Sequence, residues 1–327
     1  MMALRESQLT TNSLMNWLLQ NKTDAIKEEP DFIRSVFCSQ IRTYFEEFKT
    51  SEAKEEIQFK NFCKSDYDNT VMSPVLEVQE IIKSTDFFED FIIHGSTSDL
   101  SYVAGWSDFD SIAIIKRESF LNSKFEDFFK VCLILDEKMR KVDPLQHHGI
   151  HYVHEKEMLS WPQLYLPKEL LFDGKSLMGN DFVNITSVCS KEKEKKRLNS
   201  IIKTLDRAAK NKVLMHHGLN GKFLKEDYKD QDTMYQLKYF LCVLMLLPSL
   251  WCNSRGIYCS KRESFDIIKE HFKNEDLEIL EKSSEIRSSW RPSDINENRI
   301  PEWVMKRLGN NYLTRGSHFA SLLAVKQ

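Results

Sequence analysis

The chain has 327 residues, with 46 Lys and Arg against 49 Asp and Glu and a net charge of −3. At roughly 100 to 200 residues per domain this length fits two domains and excludes a one-module peptide binder. The balanced charge supplies no global field for nucleic acid or membrane. With 41% hydrophobic and 11% aromatic residues the chain is too apolar to be disordered, and ten Gly with eight Pro are too few for a loop-rich all-β design. Many helices are expected.

Seven cysteines are spread along the chain with no Cys-x-x-Cys pair, which reads as reduced core thiols in a cytoplasmic protein. The first residues, MMALRESQLTTNSLMNWLLQ, lack the unbroken apolar stretch of a signal peptide. The longest apolar run, Tyr239 to Trp251, is shorter than the about 20 residues that cross a bilayer and contains Pro248. A soluble cytoplasmic protein with no membrane partner is expected.

From Ser13 to about Lys60, apolar residues such as Phe32, Val36, Ile41, Phe45 and Phe48 recur at helical spacing, predicting a helical N-terminal extension over 1–72. Ser73-Pro74 before Val75, Val78 and Ile82 marks a helix start. Phe91-Ile92-Ile93 and Phe109 to Ile115 read as buried strands. A helix follows between Glu118 and Lys141 and ends at Asp143-Pro144, and Gln146 to His154 is a third strand candidate. From Lys191 onward the pattern is helical over Lys191–Met215, Asp230–Trp251, Glu263–Phe272 and Asp276–Trp290. Trp290, Tyr239 and Phe240 read as packing among these helices. The expected organisation is α/β of the α+β kind. A small mixed-sheet domain occupies 73–187 and a helical C-terminal domain 188–327.

The informative stretch is His94-Gly95-Ser96, then eleven residues, then Asp108-Phe109-Asp110 running into Ser111 to Ile115. Residues i and i+2 of a strand share a face, so Asp108 and Asp110 would stand side by side as a clamp for a hard divalent cation. Gly95 has no Cβ and lets the chain approach a ligand. Ser96 and backbone N–H groups would hold an anion, aided by a helix start after Ser96. Polyphosphate and metal would then meet where the two strands adjoin.

These residues resemble the nucleotidyltransferases of the DNA polymerase beta superfamily: an apolar strand into Gly-Ser, a gap of this length, then Asp-x-Asp at a strand start. The match is close over Phe91 to Lys116 and looser over Pro74 to His154. The resemblance implies that Gly95 and Ser96 bind a nucleoside triphosphate and that Asp108 and Asp110 hold two Mg2+ or Mn2+ ions. An acceptor hydroxyl would attack the α-phosphate and pyrophosphate would leave. The acceptor, a small molecule, a protein side chain or an RNA end, would lie in a cleft beside the C-terminal helices. Antibiotic nucleotidyltransferases have a helical second domain in which a lysine reaches the triphosphate, and Lys261 is the matching residue here.

The family's third carboxylate has no counterpart on the third strand, where His151 takes the position. A neutral imidazole there would serve as general base or as ligand for a softer metal. Asp143, Glu155 and Glu157 are substitutes if the register differs. Four histidines among residues 147–154 raise a zinc reading, although His147 and His151 would share one face with His148 and His154 on the other. Ser190 to Lys229 holds 12 Lys and Arg against 5 Asp and Glu, either a solvated helix face or a surface for phosphates. The leading expectation is a nucleotidyltransferase. A nucleotide-binding module without turnover and a histidine-centred metal protein are the alternatives.

Overall fold

A computed structural model of the chain describes residues 11–20, 54–121, 123–142, 149–161, 163, 166–187, 190–212, 234–295 and 299–326. The protein is α+β, with small mixed sheets and many helices. Met1–Ser101 with Phe109–Val188 form one compact unit, and Tyr102–Asp108 with Cys189–Gln327 form a second.

The first unit opens with α1 (Thr11–Gln20) and β1 (Glu55–Gln58). The strand corrects the expectation of helix as far as Lys60. In Glu55-Glu56-Ile57-Gln58 only Ile57 is buried, and the segment pairs antiparallel with β6 (Phe182–Ile185), whose Val183 and Ile185 also face inward. The periodic residues Phe32 to Phe48 lie outside the described residues. The N-terminal segment is tied into the first unit: the Asn12 side chain accepts from Tyr152 N at 3.0 Å, and Thr11 N donates to Glu157 Oε1 at 3.2 Å.

α2 (Ser73–Lys83) carries Pro74 in its first turn and buries Val75, Val78 and Ile82, as the sequence pattern requires. The main sheet has the order β4-β3-β2-β5, built from β2 (Phe88–Ile93), β3 (Ser111–Ile115), β4 (His151–His154) and β5 (Lys175–Ser176). β2 is antiparallel to both β3 and β5, whereas β4 runs parallel to β3. That parallel return needs a crossover, supplied by the helix Phe125–Val142, which begins after a separate 3-10 turn at Arg117–Phe120. The single helical turn Gly95–Ser98, after β2, counts as α3 and the crossover as α4. The third strand is shorter than expected, and Asp143, His147 and His148 lie outside the described residues.

Alternation along the strands gives the sheet two apolar faces. Ile92, Ile112, Ile114 and Val153 pack with Ile57, Val183, Ile185, Trp161, Leu166 and Leu171 in one core. The opposite face meets the crossover helix, where Phe88 lies against Phe128 and Ser111 Oγ contacts Met139 Sδ at 3.7 Å. A sheet buried on both sides explains why FDSIAII reads as a continuous apolar run.

The second unit is helical: α5 (Lys191–Asn211), α6 (Met234–Ser254), α7 (Lys261–His271), α8 (Asn274–Ser289), α9 (Glu302–Leu308) and α10 (Tyr312–Val325). α6 continues through Pro248. It is long and apolar enough to cross a bilayer, against the expectation from the shorter run, but 72% of its apolar window is buried within the protein. Leu237, Phe240, Leu244, Leu247 and Trp251 make it the core helix of this unit. Trp290 meets Trp106 and Trp303, and Phe240 meets Tyr312, which is the packing role expected of Trp290 and Phe240.

His154 has no metal-like setting. It is 2% exposed, stacks on Phe120, and its Nδ1 accepts from Lys156 N at 3.0 Å. Burial, then the nearby Lys156 and Arg117 charges, hold its pKa down at about 3. The neutral ring is therefore native, and the unfolded state binds the proton first as pH falls. Stability should decline as pH drops through the ordinary imidazole range towards the folded value, with a slope of at most about 1.4 kcal/mol per pH unit. Urea unfolding of His154→Asn, which keeps an acceptor for the turn, should show a flatter pH dependence between about pH 6 and 4 than wild type; an unchanged slope contradicts this assignment.

Candidate functional site

The strand pairing of β2 with β3 carries past the last regular residues, because His94 N donates to Asp110 O at 3.1 Å. Gly95 follows with φ +61°, a left-handed conformation that favours glycine. A Cβ at this position would lie 2.5 Å from Asp110 Oδ2 and 3.4 Å from its Cγ. The Asp110 carboxylate thus rests directly against the Gly-Ser turn, and a side chain at residue 95 would have to displace it. Gly95 is exposed, while Ser96 and Asp110 are half-buried, so the carboxylate and the turn are reachable from solvent.

The turn is fixed from behind. Tyr67 Oη donates to Thr97 O at 3.1 Å, and the Ser98 hydroxyl donates to Asp173 O. Lys175, on β5 opposite Ile93, is buried, donates to Tyr67 Oη at 3.2 Å and stands 3.6 Å from Asp66 Oδ2. Burial, reinforced by the Asp66 and Asp99 charges, pushes the Tyr67 phenol well above its ordinary pKa, so it stays a donor. Just beyond the turn Leu100 also has a positive φ, +62°, an uncommon conformation for a branched side chain that costs about 1 to 2 kcal/mol.

Asp108 differs from the expectation. Neither aspartate lies on regular strand, since β3 begins at Ser111, and Asp108 closes the segment Tyr102–Asp108 of the second unit. There its Oδ1 pairs with Lys238 Nζ at 2.5 Å; the lysine side chain is 1% exposed and the aspartate 10%. Lys238 is the single charged residue in the 21-residue α6. A lysine in so apolar a helix requires a counter-charge, and Asp108 supplies it. A lone lysine in so apolar a run signals that some counter-charge is needed, but the sequence does not say that Asp108 provides it.

His151 opens β4 opposite Ile112, two positions along the strand from Asp110 and in phase with it. It is half-buried. Val153 shares its phase and His154 does not, so the described histidines of this strand alternate in the register. Of the substitute carboxylates, Glu157 is 2% exposed and closes a capping box with His154, as well as holding Thr11 N; it is structural. Lys261 is exposed at the first position of α7, behind the Ser260 cap. Among the described residues no three His, Cys, Asp or Glu side chains converge as a metal cage. The donors at the turn are hard oxygens, which fits a Mg2+-type ion held by one or two carboxylates and completed by substrate phosphates and water. Two cavities, of about 280 and 320 Å3, lie elsewhere and are lined by neither Gly95 nor Asp110.

Comparisons with protein-family models, curated proteins and solved structures find no match to this chain.

Two outcomes follow from this geometry. Gly95→Ala forces a Cβ into the Asp110 carboxylate and should lower stability by about 1 to 3 kcal/mol in urea unfolding; a neutral effect contradicts the close approach. Lys238→Met or Asp108→Asn alone strands a buried partner and should cost about 3 to 5 kcal/mol, whereas the double variant should recover most of the loss. Additive losses would show that the two side chains do not form a pair.

Proposed function

We propose that the first unit binds a nucleoside triphosphate at the Gly95–Ser96 turn and that the protein transfers the nucleoside monophosphate to a hydroxyl acceptor. The observation that carries this reading is the fit of the Asp110 carboxylate into the space left by the missing Cβ of Gly95. It joins a phosphate-type turn and a cation-type ligand on two adjacent strand ends. The Ser96 hydroxyl and the turn's backbone N–H groups hold the phosphate oxygens. Asp110 would hold a Mg2+ ion there, completed by phosphate oxygens and water. The bound ion supplies charge neutralisation at the transferred phosphate. The acceptor oxygen bonds to the α-phosphorus, the bond to the bridging oxygen breaks, and pyrophosphate departs with that electron pair. His151, in register with Asp110 and two positions along, takes the acceptor's proton.

One observation favours a second reading, a nucleotide-binding module without turnover. Lys238 already neutralises Asp108, and a side-chain ammonium in that place leaves one carboxylate for the metal. The two readings separate with α-labelled ATP, GTP, CTP and UTP and Mg2+, using an extract as the source of acceptors. The transferase reading expects label on an acceptor, reduced at least 100-fold by Asp110→Asn. It also expects His151→Gln to lower the transfer rate while leaving nucleotide binding unchanged. Nucleotide binding that Asp110→Asn weakens, with no label transferred to any acceptor, contradicts the transferase and supports the module.

A further inference from the structure

The second unit contains a cavity of about 280 Å3 lined by Lys191, Lys195, Ser254, Arg255 and Lys326. Four of these five residues are cations, and none of the described lining residues is a carboxylate, in a chain whose acidic residues outnumber its basic ones. The cations come from three places in the sequence. Lys191 and Lys195 are one turn apart on α5, Arg255 follows the end of α6, and Lys326 follows α10.

The manner in which they are held is informative. The Arg255 guanidinium lies over the Trp251 ring at 4.5 Å, and Lys326 Nζ lies over Phe272 at 4.3 Å while donating to His271 O. Lys191 crosses Gly256, whose φ is +81° and where a Cβ would overlap Lys191 Cε. Rings, a carbonyl and a glycine thus orient Arg255, Lys326 and Lys191, and among the described residues none of the three has an ion-pair partner. Neighbouring Glu192 accepts from Ser190 Oγ at 3.0 Å, and its carboxyl is drawn below the usual range first by hydrogen bonds to its own backbone and to Ser190, then by Lys195 and Lys191. It eases the local repulsion but does not enter the lining. Four like charges gathered in this way favour an anion that accepts several charge-assisted hydrogen bonds. The volume is at the small end of ligand pockets, about 300 to 1,000 Å3, and suits linked phosphates better than a whole nucleotide.

We infer that this cavity binds a di- or triphosphate anion, through Lys191, Lys195, Arg255 and Lys326. The inference does not depend on the nucleotidyl-transfer reading. The test is calorimetric titration of the full chain with inorganic pyrophosphate in EDTA and low salt, conditions that remove any divalent ion from Asp110. Wild type should bind, and Lys195→Gln and Arg255→Gln should each weaken binding at least tenfold. Lys195 is exposed, so Lys195→Gln should keep the wild-type melting temperature, and Gly256→Ala should weaken binding by displacing Lys191. A short oligouridylate added in competition identifies the source of the phosphates. Displacement of pyrophosphate, with a salt slope reduced by about one in Lys195→Gln, assigns the cavity to a phosphodiester backbone. No displacement assigns it to a free polyphosphate. Absence of pyrophosphate binding by wild type, or binding indifferent to both substitutions, overturns the inference.

Discussion

The candidate site depends on one steric fact: the chain turns out of β2 through a residue with no side chain, and the Asp110 carboxylate fills the space that a side chain would take. Everything around the turn serves to hold that approach. The backbone bond from His94 to Asp110 prolongs the strand pair, Tyr67 and Ser98 grip the helical turn beyond it, and Lys175 is buried behind. The Asp110 carboxylate would repel a bare polyphosphate at this turn, and a cation between them would remove that repulsion, which is the physical reason for proposing a metal-loaded triphosphate.

Charge around Asp108 sets the second constraint. Its Lys238 partner is nearly fully buried in an apolar helix, and such a pair is costly to break from either side. The pair keeps Asp108 engaged within the second unit, so Asp110 is the carboxylate on which the proposed metal site relies.

Much of the fold was legible because its signals are local. FDSIAII announced a strand buried on both faces, Ser73-Pro74 announced a helix start, and the helices of the second unit followed the 3.6-residue pattern. Glu55–Gln58 misled because a four-residue strand next to charged, helix-like sequence carries little periodicity, and its register is set by β6 far along the chain. Gly95 and Asp110 were recognisable from residue type and spacing. The ion pair of Asp108 with Lys238 and the burial of Lys175 were not, since each is decided by tertiary neighbours more than 100 residues away in sequence. Lys261 follows the Ser260 cap in a capping box and is exposed, an arrangement that by residue pattern alone suits a surface lysine as well as one that reaches a ligand. Similarly, Glu157 looked like a spare ligand but caps a turn and anchors α1.

The most direct measurement is a crystal structure of the full chain with a non-hydrolysable nucleoside triphosphate and Mg2+. The expected result is phosphate oxygens on the Gly95–Ser96 turn and a metal ion bound by Asp110. Nucleotide bound away from the turn, or an Asp110 carboxylate that contacts no metal while triphosphate occupies the protein, would contradict it.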